Sequence, residues 1–370
     1  MNQRNKIQEE ALTKTIRQHR SGLGISMGVG KTLIGLKHMN AHYNGINRFL
    51  VVAPKVSIFQ SWKDDAVKFK MEYLLDSIDF STYLSINKQD PRLYTVVYLD
   101  ECHSLLYNHR QFLDAYDGKI LGLTGTPPVR EFTEKAQMVK QFCPIVYKYK
   151  IDEAVEDKIL NSYTIKVHYL KLSKKNNLLV KYAKGSFYTS EEKSYAYAVQ
   201  RIAAAEKGTK SHQFAIINRM RAIKEFKTKE EYATKLIKGI DNKCIVFANT
   251  QAQADRICIH SYHSKNPESE ENLQAFKDGH IKRLSCVEQL NEGVTIPNLK
   301  EGVIMHSYGN ERKSAQRLGR LLRLNPEDHA TIHILCYKDT IDETWVASAL
   351  KGIDQSNIET INAYSHYQNV

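Results

Sequence analysis

SMGVGKT, residues 26–32, follows a short apolar stretch and precedes LIGLKHMNAHY, whose apolar spacing is typical of a helix. Glycines at positions 28 and 30 allow backbone N–H groups to close around phosphate oxygens, and the following helix directs its positive end at them. Lys31 would then reach the β- and γ-phosphates of a nucleotide, and Thr32 would bind Mg²⁺. The stretch therefore predicts a phosphate-binding loop between a strand and a helix.

The loop departs from the strict GxxxxGK[ST] pattern at one position, because Ile25 stands where the pattern has glycine. Taken alone, the stretch fits a phosphate-binding loop or a glycine-rich turn. In the first case the nucleotide would be bound by Met27, Gly28, Val29, Gly30, Lys31 and Thr32.

Short apolar segments recur along the chain in front of loops rich in glycine, serine, threonine and proline, and helical patterns follow them. In the first half these segments are RFLVVAP (48–54), YTVVYLD (94–100) and KILGLTGTPP (119–128). In the second half they are KCIVFANT (243–250), IKRLSCVEQLNEG (281–293), EGVIMHSY (301–308) and ATIHILCY (330–337). This rhythm predicts parallel βα units, and hence an α/β fold with two parallel sheets.

A length of 370 residues accommodates two α/β domains, each with its own core. We expect an N-terminal domain over 1–150 and a C-terminal domain over 160–370, joined by a linker near 148–162. Between about 150 and 238 the sequence becomes rich in lysine, glutamate and tyrosine, with helical spacing. There we expect a strand near 163–172 and a helical insertion over about 174–238 that belongs to the second domain.

The chain has 53 lysine and arginine residues against 41 acidic ones, a formal charge of +12 and a pI near 9.2. Such a charge attracts a polyanion such as DNA or RNA, but it also fits a basic, solvated surface. None of the six cysteines forms a CxxC pair, so the spacing favours neither a zinc site nor a disulfide framework. A polar start and the lack of a long apolar run predict a cytoplasmic protein without a membrane span, in the host cytoplasm if a phage encodes it.

A second candidate site lies in VVYLDECHSL (96–105), where an apolar strand ends in the adjacent carboxylates Asp100 and Glu101. Open α/β sheets bind ligands at the carboxyl ends of their strands. In an ATPase the first carboxylate holds Mg²⁺, and the next orients or deprotonates the attacking water. An isolated Asp-Glu pair is usually a surface turn, but its combination with Lys31 and Thr32 favours an ATPase.

DECH (100–103) and TGT (124–126) resemble motifs II and III of the superfamily 2 helicases and translocases. The other motifs of that family have counterparts in the same order between about residues 4 and 350. They are Gln8 in RNKIQEEAL for the Q motif, VVAPKVSIFQSW (51–62) for Ia, STY (81–83) for Ib, CIVFANT (244–250) for IV, LNEGVTIPNL (290–299) for V and QRLGRLLR (316–323) for VI.

This resemblance implies two RecA-like domains of the P-loop NTPase fold that hydrolyse ATP with Mg²⁺ in the cleft between them. It adds Gln8, as a reader of adenine, and Gly293 to the nucleotide-binding residues. It also makes Gln316, Arg320 and Arg323 catalytic. Their spacing of four and three residues puts them on one helix face, and an arginine there would stabilise charge on the transferred phosphoryl group.

Motifs Ia, Ib, IV and V imply a nucleic-acid track that contacts the backbone through Lys55, Tyr83, Thr250 and Thr295. Contacts of this kind grip phosphates and carry no sequence information, which suits a translocating motor. Motif V departs from the family at Thr295, where members often have aspartate. The form of motif VI resembles the XPB and UvsW-like branch, whose members act on duplex or branched DNA, and the resemblance favours 3′→5′ polarity.

The resemblance therefore implies a DNA motor, a monomer that partner proteins could direct to its target, of the kind that a phage or mobile element encodes. An RNA helicase remains an alternative, because DECH also occurs in branches that act on RNA. A second alternative is a nucleic-acid-binding protein that keeps the motor fold without turnover, and a third is a P-loop ATPase of another family. Intact Lys31, Asp100, Glu101 and Arg320 argue against the second, and motif VI argues against the third.

Overall fold

The computed structural model describes residues 2–26, 28–128, 131–182, 185–287, 296–307, 327–351 and 353–363. The chain divides into two compact units: the first contains the residues up to Ser162, and the second begins at Tyr163. Among the described residues, no helix combines the length and the apolar character that crossing a bilayer requires. All six cysteines lie in the described ranges, all are buried, and no disulfide joins any two of them.

The first unit is built on a six-stranded sheet with helices along the chain between the strands. Its strands are β1 (Arg20–Ile25), β2 (Phe49–Ala53), β3 (Ile78–Thr82), β4 (Val96–Asp100), β5 (Lys119–Thr124) and β6 (Ile145–Tyr149). Its α-helices are α1 (Gln3–Thr15), α2 (Lys31–His42), α3 (Ser57–Lys68), α4 (Arg110–Ala115), α5 (Glu134–Phe142) and α6 (Ile151–Glu156).

The strand order in this sheet is β3-β2-β4-β5-β1-β6, and every neighbouring pair is parallel. All residues of β2 and β4 are buried, which explains why parallel strands read in the sequence as continuous apolar runs. Because the strands are parallel, their carboxyl ends meet at one edge. Strand β5 separates β4 from β1 there: Asp100 pairs with Leu123, and Leu123 pairs with Leu23.

The second unit contains a seven-stranded sheet and the remaining helices. Its strands are β7 (Ser162–Leu170), β10 (Cys244–Ala248), β11 (Ser261–Tyr262), β12 (Arg283–Val287), β13 (Glu301–Ile304), β14 (His329–Tyr337) and β15 (Ile358–Asn362), in the order β11-β12-β10-β13-β14-β7-β15. The helices α10 (Gln251–Ile257), α11 (Ser269–Asp278) and α12 (Ile341–Ala349) connect or follow them. The predicted α/β class with two parallel-sheet domains is confirmed.

The segment over 174–238 is only partly helical, so the expectation of a helical insertion is wrong for its first part. It opens with an antiparallel pair of strands, β8 (Leu178–Tyr182) and β9 (Gly185–Thr189), before α7 (Glu191–Ala204), α8 (Lys210–Glu225) and α9 (Lys227–Lys238). The β-branched and aromatic residues in LLVKY and GSFYT favour strands, and the helical pattern begins only after the cap at Ser190.

The expected linker is also structured in part. Helix α6 lies inside the predicted linker range 148–162, and the guanidinium of Arg4 on α1 donates a hydrogen bond to the carbonyl of Ile159 at 3.0 Å. The segment therefore packs onto the first unit, and the change of unit falls at its end.

A buried ion pair joins two helices of the second unit. The ammonium of Lys229 on α9 bonds to the carboxylate of Asp342 on α12, and both side chains are fully buried. The same ammonium donates to the carbonyl of Met305 at 3.0 Å and lies 4.9 Å from the ring centre of Tyr337, whose backbone N–H donates to Asp342 at 2.9 Å. Removal of either charge would leave the other buried without its counter-charge.

We therefore expect Lys229→Ala to lower the free energy of unfolding by about 3–5 kcal/mol, because Asp342 keeps its burial and loses its cation. The matched control is Arg256→Ala, which removes an exposed ion pair to Glu230, the residue next to Lys229 on α9. Exposed pairs contribute about 0–1 kcal/mol. Urea unfolding followed by circular dichroism measures both; equal losses in the two variants would contradict the role given to the buried pair.

Candidate functional site

The loop between β1 and α2 has a backbone that suits glycine at two positions. Gly28 has φ +87° and Gly30 has φ +102°, a left-handed conformation that residues with a side chain rarely adopt. Gly30 is also close-packed, since a Cβ atom there would lie 2.7 Å from Nε2 of Gln8. The next residue, Lys31, begins α2, so the loop opens onto the positive end of a twelve-residue helix.

Gln8 on α1 forms a hydrogen bond with the backbone of this loop. Its side chain is 2% exposed, and its Nε2 donates to the carbonyl of Val29 at 2.8 Å. Its Oε1 is buried and has no hydrogen-bond partner among the described residues. Gln8 therefore holds the loop backbone with one end of its amide and offers an acceptor with the other.

Lys31 and Thr32 stand at the start of α2, and both are half-buried. The Nζ of Lys31 donates to the carbonyl of Ile25, the last residue of β1, at 3.3 Å. This single bond folds the ammonium back over the loop. The ammonium thus lies next to a glycine-containing turn whose backbone N–H groups would suit phosphate oxygens.

Asp100 ends β4 with its carboxylate bonded on both oxygens. Oδ2 accepts from the indole Nε1 of Trp62 at 2.8 Å, and Oδ1 accepts from the backbone N–H of Glu101 at 2.9 Å. Burial raises the pKa of Asp100 above its ordinary value, while the Trp62 bond, the charge of Lys31 and the Glu101 amide act in the opposite direction. The charge of Lys31 thus acts on this carboxylate across the edge of the sheet.

Glu101 is held in the left-handed region, with φ +50° and ψ +51°. Its Oε2 lies 3.2 Å from Nδ1 of His103, and that nitrogen lies 2.8 Å from Oγ1 of Thr124 at the end of β5. A non-glycine residue in this region is uncommon and persists where its surroundings hold it. The DECH and TGT segments are therefore joined by direct hydrogen bonds at the carboxyl ends of β4 and β5.

The residues expected on the nucleic-acid track differ in their surroundings. Lys55, after β2, and Thr250, the N-cap of α10, are exposed, and the Thr250 hydroxyl accepts from the N–H of Gln253 at 3.1 Å. Tyr83 is 5% exposed, and its hydroxyl donates to the carbonyl of Asp100 at 2.9 Å. The Tyr83 side chain is therefore buried next to the end of β4, and its contact with nucleic acid stays a prediction.

Several residues singled out in the sequence lie outside the described residues. They are Met27, Gly293, Thr295, Gln316, Arg320 and Arg323.

Trp62 is the site residue that sequence reasoning missed. The resemblance of VVAPKVSIFQSW to motif Ia predicts contact with nucleic acid, yet its last residue is buried and bonded to Asp100. A tryptophan within a short helix gives a signal for burial, and a buried indole N–H needs an acceptor. The sequence does not say which acceptor it is, because Trp62 and Asp100 are 38 positions apart.

Two family models match the chain, one described as "Type III restriction enzyme, res subunit" over residues 2–129 and one as "Helicase conserved C-terminal domain" over residues 218–325. The chain is also similar to the DNA 3'-5' translocase XPB2 of Sulfurisphaera tokodaii, with 26% identity over 366 residues, spanning 90% of this chain and 82% of that protein. Together, the two models and this relative support a superfamily 2 helicase or translocase. The relative supports the XPB-like branch within that superfamily.

Solved structures of low sequence identity share the fold of this chain. The Hef helicase domain of Pyrococcus furiosus has a TM-score of 0.57 and 14% identity, over 94% of this chain and 99% of that one. The Type ISP restriction-modification enzyme LlaBIII bound to DNA has a TM-score of 0.64 and 15% identity, over 99% of this chain and 32% of that one. A fragment of an HsdR subunit of a type I restriction enzyme from Vibrio vulnificus YJ016 has a TM-score of 0.62 and 19% identity, over 96% of this chain and 68% of that one.

The packing of the loop predicts that Gly30→Ala weakens nucleotide binding by about tenfold or more, since an added methyl group must displace Gln8 and strain the backbone. Gly45→Ala is the matched control. Gly45 also has a positive φ, of +85°, but no atom lies within 4 Å of its added Cβ. Titration of a fluorescent ATP analogue measures both variants, and equal affinities would show that contact with Gln8 does not shape the loop.

Proposed function

We propose that this chain is an ATP-dependent motor that acts on nucleic acid, and on DNA in preference to RNA. The observation that supports the ATPase most strongly is the placement of Lys31 and Asp100. Lys31 lies after β1 and Asp100 is the last residue of β4, at the same edge of the sheet. The positive charge of the Lys31 ammonium acts on the Asp100 carboxylate there. Phosphoryl transfer depends on fixed positive charge and a positioned carboxylate of this kind.

The residues present fit a nucleotide with Mg²⁺. The Gly28 and Gly30 backbone, Lys31 and the start of α2 provide donors and positive charge for the phosphates, and we propose that Val29 and Met27 belong to the same cradle. Thr32 and Asp100 would hold Mg²⁺, which offsets the charge on the phosphate oxygens when bound. The Oε1 of Gln8 is buried and has no hydrogen-bond partner in the part of the chain that the structure describes, which supports a role near the bound nucleotide.

Glu101 is the residue that we assign to the attacking water. Its backbone has a positive φ, and its carboxylate lies next to His103 and Thr124. A buried carboxylate in such a position can accept a proton from water or orient the water. His103 and Thr124 hold this carboxylate in place. The proposed step is therefore attack of water on the γ-phosphate, which breaks the bond between the γ-phosphorus and the bridging oxygen and releases ADP. Glu101 orients the water and accepts its proton.

We assign the remaining catalytic charge to Arg320 and Arg323, with Gln316 on the same predicted helix face. This part of the proposal comes from sequence, as does the assignment of Gly293 to the nucleotide and of Thr295 to the nucleic acid. An arginine that approaches the γ-phosphate supports turnover much more than it supports binding of the nucleotide.

The nucleic-acid contact is proposed at Lys55 and Thr250, which are exposed at the carboxyl ends of β2 and β10. The charge of +12 favours a polyanion. The named relative is a DNA translocase and one similar structure was determined with DNA, which supports DNA as the substrate. Contacts from a lysine and a threonine to phosphates would give binding without sequence preference.

Rates of phosphate release with single-stranded, duplex, forked and four-way DNA and with RNA, at matched nucleotide concentration, test the substrate. We expect DNA to raise the rate more than RNA does. Stimulation by RNA alone would identify an RNA helicase. Tight binding of DNA without hydrolysis would identify a binding protein that keeps the motor fold.

We expect Lys31→Ala to abolish ATP turnover and Glu101→Gln to leave Mg-nucleotide binding within about twofold of wild type while turnover falls by about 100-fold or more. The first change removes the cation from the phosphate cradle, and the second removes only the acceptor for the proton of water. Nucleotide titration and phosphate release on the same preparations separate the two effects. Wild-type turnover in Lys31→Ala would overturn the phosphate-loop assignment.

We expect Arg320→Ala and Arg323→Ala to lose most DNA-stimulated ATPase activity and to bind nucleotide within about threefold of wild type. In this proposal Lys31, Thr32 and Asp100 hold the nucleotide and Mg²⁺, so the affinity for nucleotide should depend little on the arginines. A control with conserved charge is Arg320→Lys, which keeps the cation but loses the planar fork. Stimulated wild-type rates in both alanine variants would remove motif VI from the mechanism.

A further inference from the structure

Asp100 is contacted by two aromatic side chains from segments that family resemblance assigns to nucleic acid. Trp62 lies in α3, and Tyr83 follows β3. One donates its indole N–H to the carboxylate, and the other donates its hydroxyl to the backbone carbonyl of the same residue. Both the side chain and the main chain of Asp100 are therefore fixed by donors from outside β4.

The position of Trp62 is determined by close packing. Its side chain is fully buried, and a Cβ atom on Gly35 of α2 would lie 2.6 Å from its ring. Its ring centre lies 6.0 Å from that of Tyr98, on β4 two residues before Asp100. Helices α2 and α3 thus hold the indole in one orientation, with its single polar atom directed at the carboxylate.

A hydrogen bond from a buried indole to a carboxylate does more than satisfy the N–H group. Charge-assisted bonds of this type are stronger than neutral ones, and they restrict the direction in which the carboxylate lone pairs point. Oδ1 is bonded to the Glu101 amide, so the Trp62 bond to Oδ2 completes the orientation of the group. Rotation of the carboxylate would break one bond or the other.

We infer that Trp62 is a positioning residue that orients the Asp100 carboxylate for the metal ion of the bound nucleotide, while Tyr83 fixes the backbone of the same residue. The inference rests on the proposed function for the identity of the ion, but the hydrogen bond itself belongs to the protein without nucleotide. Outer partners that orient metal-binding groups change metal affinity or activity by about 10–100-fold when they are removed.

The first experiment measures the hydrogen bond in the nucleotide-free full chain. The sequence has only two tryptophans, at positions 62 and 345, so ¹⁵N-indole labelling gives two N–H signals that Trp62→Phe and Trp345→Phe assign. We expect the Trp62 signal to lie downfield and to exchange slowly with solvent. In Asp100→Ala it moves upfield, while the Trp345 signal stays in place.

The second experiment measures the function of the bond. In Trp62→Phe, which keeps a buried ring and loses the donor, we expect affinity for a fluorescent ATP analogue to be unchanged in EDTA and to fall about tenfold or more in Mg²⁺. The Mg²⁺ concentration for half-maximal ATPase activity rises by a similar factor. Tyr98→Phe is the control, because it deletes a buried hydroxyl in the same cluster that bonds His38 rather than Asp100.

A Trp62 signal that Asp100→Ala does not move would overturn the inference, as would a Trp62→Phe protein with wild-type affinity in Mg²⁺. An equal loss of affinity in EDTA and in Mg²⁺ would also overturn it, because it would reveal a general effect on the loop. If Trp62→Phe fails to fold, two measurements test the inference in its place. They are the indole spectrum of Asp100→Ala and the Mg²⁺ titration of Tyr83→Phe. Failure of the proposed function is seen separately, as a wild-type chain that hydrolyses no ATP with any nucleic acid.

Discussion

The structure of the first unit depends on keeping an ammonium and a buried carboxylate at one edge of a parallel sheet. Lys31 follows β1 and Asp100 ends β4, with only β5 between the two strands. Burial disfavours the charged form of Asp100, and the charge of Lys31 and the donated hydrogen bonds offset this. Because the strands are parallel, strand ends from distant parts of the sequence lie at the same edge of the sheet.

The groups around these two charges are held by other side chains rather than by the loops alone. Gln8 fixes the backbone before Lys31, and Trp62 fixes the carboxylate of Asp100. Glu101 and His103 are tied to the end of β5. Helix α3, which carries Trp62, begins at Ser57, two residues after the exposed Lys55.

Much of this arrangement could be predicted from the sequence, because parallel strands read as apolar runs and phosphate loops require glycine at fixed positions. The directions of the side chains could not be predicted from the sequence. Tyr83 occupies a motif position that implies nucleic acid, yet it points into the core, since motif order gives a place along the chain and not an orientation. The bond of Trp62 joins distant positions, and the strands of 178–189 stand in lysine- and tyrosine-rich sequence whose overall composition resembles the helices after them.

The central claim is that hydrolysis at this site moves the chain along DNA, and displacement of a third strand from a DNA triplex tests it most directly. With ATP and Mg²⁺, we expect the full chain to displace a triplex-forming strand that lies ahead of it on the duplex. With a non-hydrolysable analogue, displacement should stop while DNA binding persists. Hydrolysis stimulated by DNA without any displacement, or displacement at equal rates with the analogue, would contradict the account of this protein as a motor.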